Sequence, residues 1–362
     1  MSNPDSLAPW LRLTLTPGVG PSFQRQLLAA FGLPGRIYEA GYSAIAGVIG
    51  APAARTLLDY DSTAAVELAL EWADQPGNTV LTLGDAAYPA LLLEIPDPPV
   101  TLYVKGDPLL LARQSIAVVG ARSATPQGEA NAEAFATSLS QAALCIVSGL
   151  ALGIDAAAHR GGLAGPGSTV AVIGTGADRI YPARNAALAR RIAEAGAIVS
   201  EFPLGTAPLA HNFPRRNRLI AGLASGVLVV EAALKSGSLI TARLATDCGR
   251  DVFAIPGSIH SPVARGCHRL IRDGAKLVEA ASDILEELRL APPESAAAFD
   301  SALPAVEGEE ARIFAALGHD PVDMDTLVHR TSLTPEALYA ILLALELDGR
   351  VSRLPGGRLQ RL

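Results

Sequence analysis

Turns rich in glycine and arginine follow the predicted strands in the middle of the chain. GARS (120–123), SGLALGID (148–155) and GTGAD (174–178) come after apolar runs, and FPRRNR (213–218) and KSGS (235–238) occur further on. In a parallel α/β sheet, the loops that follow the strands lie at one edge, where ligands bind. Glycine turns let backbone N–H groups approach an anion, and guanidinium groups neutralise its charge. The pattern therefore predicts a phosphate-binding edge.

Two aromatic residues on these loops make single-stranded nucleic acid a suitable ligand. Tyr181 and Phe213 offer rings on which bases can stack beside a line of phosphate-binding turns. Asp155 and His159 lie four residues apart on one predicted helix, so we expect them to support the pocket rather than to react. The residues predicted to bind the nucleic acid are Gly120, Arg122, Ser123, Ser148, Gly149, Gly153, Tyr181, Arg184, Asn185, Phe213, Arg215, Arg216, Asn217, Arg218, Ser236, Gly237 and Ser238.

The sequence lacks the motifs that are typical of several classes of enzyme. Gly174 and Gly176 supply two positions of a dinucleotide-binding turn, but Arg179 stands where the third glycine would be. The strand that ends at Ser148 offers no acid for a ribose hydroxyl. The chain has no GxxxxGK[ST] loop, no GxSxG elbow and no HExxH pair. We therefore predict no cofactor, no metal ion and no catalytic residue.

Composition and charge limit the kind of protein that this chain can be. The chain has 362 residues and a net charge of −7, with 49% hydrophobic and 18% charged residues, which excludes long disorder as the dominant state and indicates two or three domains. Six arginines against two acids between positions 182 and 218 concentrate positive charge near the predicted edge. Three cysteines without a CxxC pair, no secretory signal and no predicted membrane span favour the cytoplasm.

Apolar periodicity predicts an α/β protein of three domains. Residues 1–75 are predicted to be helical and helix-hairpin-helix or SAM-like, with a PGVG turn (17–20) that presents N–H groups to a phosphate; a helical bundle without a ligand is the alternative. Residues 76–290 are predicted to form a central, doubly wound Rossmann-like domain with a parallel sheet. Its predicted strands span 115–120, 144–148, 169–174, 197–200, 226–231 and 251–255, and its predicted helices span 126–142, 153–163, 185–195, 215–223, 237–249 and 266–273.

The remaining residues predict a linker and a winged-helix-like domain. Residues 291–308 are rich in proline and alanine, and three helical patterns follow at 309–317, 323–330 and 334–347, before two short strands around a turn at Pro355. The third helix carries Glu336 and Glu346 and no basic residue, so we expect no reading of base sequence by it. The wing residues predicted to contact phosphates are Arg350, Arg353, Arg358 and Arg361.

The motifs of the central domain resemble those of the DNA-processing protein A (DprA, or Smf) family, from about residue 88 to residue 284. The resemblance implies a cytoplasmic, homodimeric, non-enzymatic protein. Such a protein binds incoming single-stranded DNA during natural transformation, protects it and loads the RecA recombinase onto it. The matching segments are VVGARSATPQG (118–128), IVSGLALGIDAAAH (146–159), VAVIGTGADRIYPARN (170–185), SEFPLG (200–205), the stretch 211–257 and GCHRLIRDGAKLV (266–278).

The resemblance also assigns residues. The family's G-[SA]-R turn falls on 120–122, its SGxAxGID…H motif on 148–159 and its FPxRNR motif on 213–218. The family often has a basic residue directly after Tyr-Pro, where this chain has Ala183 followed by Arg184. Dimerisation in the family maps to Cys267, His268, Leu270 and Ile271, although the last two also suit an ordinary core.

Two other functions fit parts of the pattern. Glu231 ends a predicted strand at a place where related Rossmann-like proteins that cleave nucleotides keep a catalytic acid, which makes a nucleotide-handling hydrolase the first alternative. A transcriptional regulator that acts through the winged helix is the second. Salt dependence separates DNA binding from nucleotide turnover, and preference for a base sequence separates it from regulation.

Overall fold

A computed structural model describes residues 4–290, 309–318, 321–354 and 356–361, without the side chains of residues 4–6, 309 and 310. The predicted linker 291–308 and Pro355 of the predicted wing turn lie outside the described residues.

A nine-stranded sheet forms the centre of the molecule. Its strand order is β1-β2-β6-β5-β4-β3-β7-β8-β9, and the neighbouring strands from β6 to β9 pair in parallel, whereas β1 and β2 are antiparallel to their neighbours. The strand order reverses direction between β3 and β7, which creates a crevice outside the carboxyl ends of the strands. The strands are β1 (Asn78–Thr82), β2 (Thr101–Gly106), β3 (Ser115–Val119), β4 (Cys145–Ser148), β5 (Thr169–Val172), β6 (Ala197–Ser200), β7 (Gly226–Val229), β8 (Asp251–Ala254) and β9 (Lys276–Leu277).

Helices cover both faces of this sheet, because its central strands are apolar on both sides. Val119, Val147 and Val229 pack into the core on one face, and Ile116, Ile146 and Leu228 pack into the core on the other. The helices are α7 (Ala90–Leu93), α8 (Pro126–Gln141), α9 (Ile154–Gly162), α10 (Ala186–Ala195), α11 (Asn212–Leu223), α12 (Ser238–Asp247), α13 (Arg265–Arg272) and α14 (Ala281–Glu287). The predicted doubly wound domain is therefore confirmed.

The N-terminal part is helical, as predicted, and it shares a core with the sheet. Trp10 and Trp72 pack with Val80 of β1 and Tyr103 of β2, and the Trp72 and Tyr103 ring centroids lie 5.8 Å apart in an edge-to-face arrangement. Its helices are α1 (Pro4–Leu15), α2 (Pro21–Phe31), α3 (Pro34–Glu39), α4 (Gly41–Ile49), α5 (Ala51–Asp59) and α6 (Thr63–Ala73).

The C-terminal module has the winged-helix arrangement that the sequence predicted, with its own core. Leu317, Leu327, Leu342 and Leu359 are buried together within it. The module consists of α15 (Glu309–Leu317), α16 (Met324–Thr331), α17 (Pro335–Leu347) and the antiparallel strands β10 (Val351–Arg353) and β11 (Leu359–Arg361). Across the parts of the chain that the structure describes, no helix is long and apolar enough to cross a membrane.

Candidate nucleic-acid interface

A cleft of about 780 Å³ lies at the carboxyl ends of β3, β4, β5, β6 and β7, at the crevice that the strand order creates. It draws residues from all five of the loops that follow these strands. The predicted residues that line it are Gly120, Arg122, Ser123, Asp155, Tyr181, Phe213, Arg216, Asn217, Ser236, Gly237 and Ser238. Residues distant in the sequence, from 120 to 238, therefore form one site.

The turn after β3 is held in place by the beginning of α9. The backbone N–H of Ile154 donates to the carbonyl of Ala121 over 3.2 Å. Gly153 precedes it with a φ of 72°, a left-handed conformation that favours glycine. A Cβ at Gly153 would overlap the carbonyl oxygens of Ala121 and Arg122, so the two loops can approach this closely only with glycine at this position.

Gly153→Ala is expected to lower the free energy of unfolding by about 1–3 kcal/mol, because the new methyl group meets backbone atoms and the backbone is left-handed. Urea denaturation measures this change. Gly237→Ala is the matched control from the same cleft, since a Cβ there meets nothing within 4 Å and its φ is −63°. Equal stability of the two variants would show that the approach of the loops does not require glycine.

Two aromatic rings and a guanidinium form one wall of the cleft. The Tyr181 and Phe213 ring centroids lie 5.6 Å apart at an interplanar angle of 42°. The Arg122 guanidinium carbon lies 5.8 Å from the Phe213 centroid. Tyr181 and Arg122 are exposed and Phe213 is half-buried, so the rings and the charge are open to a ligand. Such a wall combines surfaces for stacking with a positive charge for a phosphate.

Arg216 forms part of the floor of the cleft and holds the strand ends together. Its Nη1 donates to the carbonyl of Gly149 over 2.6 Å and also to the carbonyl of Val172, at the ends of β4 and β5. Burial lowers the pKa of Arg216 to about 10, although the nearby Asp155 carboxylate opposes this shift. Burial raises the pKa of Asp155, against the Arg216 charge and a backbone N–H from Ala151. The buried charges thus compensate each other.

His159 is a structural residue in its neutral form. Its Nε2 accepts the backbone N–H of Leu150 over 3.2 Å, and its Nδ1 lies 2.7 Å from Thr169 Oγ1. Since the Thr169 hydroxyl donates to the carbonyl of Ile146, it accepts the Nδ1 proton. Burial, reinforced by the Arg216 charge, lowers the pKa of His159 to about 3. The ring therefore fixes the turn after β4.

We expect His159 to make stability fall as the pH drops from 6.5 towards 3. In this window the unfolded chain binds a proton that the native imidazole cannot accept, at a cost of about 1.4 kcal/mol per pH unit. Urea denaturation at pH 6.5 and pH 5 should therefore show a loss of about 2 kcal/mol from this residue.

His159→Gln provides the comparison for that loss. The variant is expected to be less stable at both pH values but to depend less steeply on pH. Both proteins keep Asp155, whose raised pKa lets the native state bind a proton and so changes stability with pH in the opposite direction. The difference between the two pH slopes therefore isolates the contribution of His159. Equal slopes in the two proteins would show that the native His159 can be protonated.

Several predicted binding residues lie outside the cleft lining. Arg218 is buried and pairs with Asp97 over 2.7 Å and with Glu201 over 2.6 Å. Arg215 also pairs with Glu201, over 3.2 Å, and Arg184 is exposed away from the cleft. Ser148, Gly149, Gly153 and Asn185 support the loops from behind: the Ser148 hydroxyl donates to Val118, and Asn185 Nδ2 donates to Leu150 and Ala151.

One basic residue of the cleft was left out of the predicted set. Lys235 lies on the turn after β7, is exposed and lines the cleft. Its place directly before Ser236 was visible in the sequence, since KSGS belongs to the same group of loops. Lys235 and Arg122 are therefore the exposed positive charges that line the cleft among the described residues.

The residues predicted for a dimer interface lie on α13. The Cys267 side chain is fully buried, with its Sγ 3.6 Å from the carbonyls of Val229 and Val230. The His268 ring bonds to the backbone of Gly257 over 2.9 Å. Leu270 and Ile271 are partly buried against the core of their own chain, so part of each side chain faces outwards.

The wing arginines pack mainly against aromatic rings of their own module. The Arg350 and Arg361 guanidinium carbons lie 4.5 and 4.7 Å from the Phe314 centroid. Arg353 lies over Tyr339 and pairs with Glu346 over 3.5 Å, while Arg358 is exposed. Contact of these residues with phosphates therefore stays a prediction.

The carboxylate that suggested a hydrolase holds Thr125, the residue that caps α8. Glu231 accepts the backbone N–H of Thr125 over 2.9 Å and its hydroxyl over 2.6 Å. The same hydroxyl accepts the N–H of Gly128 in the first turn of α8. Glu231 does not line the cleft. Within the described residues, no group of three or more His, Cys, Asp or Glu side chains is placed to hold a metal ion.

Fold and cleft together define a Rossmann-like protein with a cleft at its strand ends and a winged helix. The family model for DNA recombination-mediator protein A matches residues 79–289, and the model of the DprA winged helix domain matches residues 293–357. The chain belongs to the DNA recombination-mediator protein A (DprA/Smf) family.

Relatives and solved structures agree with this membership. Protein Smf of Escherichia coli is 42% identical over 309 residues, which cover 82% of this chain and 81% of that protein. The structure of DprA from Streptococcus pneumoniae aligns with a TM-score of 0.67 and 38% identity, over 79% of this chain and 98% of that one. DNA processing protein A from Helicobacter pylori, described for its unique single-stranded DNA binding mode, aligns with a TM-score of 0.53 and 32% identity, over 58% of this chain and 95% of that one.

Proposed function

We propose that this chain binds single-stranded DNA in the cleft, as a DNA-processing protein of natural transformation. The observation that carries the proposal is the wall in which Phe213 lies between Tyr181 and Arg122, with ring centroids 5.6 Å apart and the guanidinium 5.8 Å from the Phe213 ring. Bases of a single strand can stack on these rings, and Arg122 and Lys235 can neutralise its phosphates. In a duplex the bases already stack on each other and cannot use the rings.

The Gly120, Gly237 and Ser236 loops fit the same ligand. Ser236 and Gly237 directly precede α12, whose first N–H groups favour an anion, and Gly120 lines the same cleft. Contacts of this kind involve the phosphates of the DNA and the faces of its bases, which are similar for every base. We therefore expect little preference for base sequence. This expectation separates the proposal from regulation by sequence-specific DNA binding.

We further propose that the chain acts without catalysis, as a cytoplasmic homodimer that protects incoming DNA and loads RecA onto it. Family membership supports these finer statements. The contacts of the acids support the non-enzymatic part, because Glu231 accepts two hydrogen bonds from Thr125, the cap of α8, and the Asp155 carboxylate is buried beside Arg216. The outward parts of Leu270 and Ile271 are the surface that we propose for contact between copies.

Phe213→Ala is expected to weaken binding of a fluorescent single-stranded oligonucleotide by about 5- to 150-fold, since stacking of one base contributes about 1–3 kcal/mol. Fluorescence anisotropy measures the affinity. Tyr42→Ala, which removes an exposed ring from α4, is the control and should bind like the unaltered chain. Wild-type affinity of a folded Phe213→Ala protein would contradict the proposal.

Competition distinguishes the DNA-binding function from the hydrolase alternative. Unlabelled single strands should displace the oligonucleotide more effectively than duplex, and mononucleotides should neither displace it efficiently nor be consumed. Consumption of a nucleotide that depends on Glu231 would favour the hydrolase instead.

A further inference from the structure

The outward face of α10 carries a group of positive charges. Ala189 and Ile192 bury the inner face of this helix against β5 and β6. On the outer face, Arg190 and Arg191 are exposed, and Arg184 is exposed on the turn directly before the helix. We refer to these three exposed residues as the α10 arginines.

No acid neutralises these charges within the part of the chain that the structure describes. Even Glu194, which follows Arg190 by four positions on the same helix, forms no ion pair with an α10 arginine. Arg215 and Arg218, by contrast, both pair with Glu201. The helix is not stabilised by this arrangement either, since a positive charge before its first turn opposes the helix dipole. The α10 arginines can therefore neutralise an external anion.

The α10 arginines continue the wall of the cleft. Tyr181 is exposed, lines the cleft and precedes Arg184 by three residues. At the start of α10, Asn185 Nδ2 donates to the carbonyls of Leu150 and Ala151 over 2.9 and 3.1 Å, and Ala151 also lines the cleft. The helix therefore begins at the cleft, and its outer face leads away from it.

The opposite rim of the cleft has a different surface. Beyond Lys235, which lines the cleft itself, the exposed large side chains are the apolar Leu234 and Ile240, before and on α12. Arg243 of the same helix pairs with Asp247 over 3.9 Å. Of these two described rims, the α10 side is therefore the one that offers unpaired positive charge to a polyanion that extends beyond the cleft.

We propose that the single strand leaves the cleft past Tyr181 and continues along α10, with its phosphates on Arg190 and Arg191. This inference rests on the proposed function, since it extends the strand that the cleft holds. Arg184 and Arg191 are seven residues apart, which is about 10 Å along a helix and corresponds to about three nucleotides of a stacked strand. The helix has no aromatic residue, so the contacts there are to phosphates and do not depend on the base.

The length of the oligonucleotide tests this path. Replacement of both Arg190 and Arg191 with alanine should weaken binding of a fluorescent oligothymidylate of about 20 nucleotides by about 10- to 30-fold at about 0.1 M salt. The reason is that the loss of two phosphate contacts makes the slope of log affinity against log salt shallower by about 1.4. An oligothymidylate of about 5 nucleotides, which occupies only the cleft, should lose less than about twofold. Fluorescence anisotropy measures both affinities and the slope.

Two control proteins separate this path from general charge and from the cleft. Replacement of both Arg55 and Arg243 with alanine removes the same charge from exposed positions on α5 and α12 and should leave both affinities unchanged. Phe213→Ala should weaken binding of both lengths, because the wall of the cleft holds either one. All four arginines are exposed on helices, where alanine is well tolerated, and circular dichroism establishes that each variant is folded.

The outcomes distinguish the path along α10 from the proposed function. Wild-type affinity of the Arg190 and Arg191 variant for the long oligonucleotide, while Phe213→Ala weakens both lengths, would overturn the path and leave DNA in the cleft. An equal loss for the two lengths, or the same loss in the Arg55 and Arg243 variant, would also overturn the path. Wild-type affinity of Phe213→Ala for both lengths would contradict the proposed function on which the path rests.

Discussion

Replacement of Arg216 with methionine is expected to lower the free energy of unfolding by about 3–5 kcal/mol. Methionine fills a similar volume but leaves the carbonyls of Gly149 and Val172 without their donor. It also leaves the buried Asp155 carboxylate without the positive charge that lowers its pKa. Removal of one member of a buried charge pair is among the most destabilising single changes.

Urea denaturation measures this loss, with Arg243→Met as the control. Arg243 lies on α12 with its side chain 84% exposed and pairs with the exposed Asp247, so its replacement should cost no more than about 0.5 kcal/mol. The double variant Arg216→Met with Asp155→Leu should be more stable than the sum of the two single losses predicts. Additive losses would show that the two charges act independently.

Arg122→Ala is expected to weaken binding of single-stranded DNA by about 10- to 150-fold, because a hydrogen bond to a charged phosphate contributes about 1.5–3 kcal/mol. The salt dependence should change too. The slope of log affinity against log salt should become shallower by about 0.7 for each lost phosphate contact. Anisotropy titrations at several salt concentrations measure both quantities.

Arg243→Ala controls for the loss of one arginine from the surface. It carries the same charge on an exposed helix outside the cleft, so its affinity and slope should equal those of the unaltered chain. The same reduction in slope for both variants would mean that general charge, rather than the position of Arg122, determines binding.

The sequence predicted the central sheet and the cleft loops well, for a physical reason. Strands buried on both faces are continuous apolar runs, and in a doubly wound sheet the loops after them must meet at one edge. Gly120, Arg122 and Phe213 could therefore be assigned to one site without knowledge of side-chain positions. Strands β1, β2 and β9 were missed. Thr101–Gly106 lies in a proline-rich region and is followed by a short 3-10 turn rather than by an α-helix, and β9 has only two residues.

The arginines of FPRRNR show the limit of such reasoning. The sequence predicted a helix from residue 215, but α11 begins at Asn212. Phe213 is therefore part of the helix, and because Arg216 and Asn217 follow it by three and four residues, all three lie on the face that lines the cleft. Arg215 and Arg218 lie three apart on another face, where both pair with Glu201.

Glu201 was not recognised as a partner of these arginines. Its side chain is only 2% exposed, directly after β6. An acid in the SEFPLG segment was visible, but which arginines it would pair with depends on how α11 is rotated. That rotation is set by packing of the helix against the sheet, which a single sequence does not reveal.

Photochemical cross-linking tests most directly whether DNA lies in the cleft. A single-stranded oligonucleotide that contains 5-bromodeoxyuridine is bound to the full chain and irradiated, and the linked peptides are identified by mass spectrometry. Linkage to Tyr181 or Phe213 is the predicted result, and Phe213→Ala should reduce it. Linkage confined to the wing arginines or to the turn at 17–20, with none at the cleft, would contradict the proposed function.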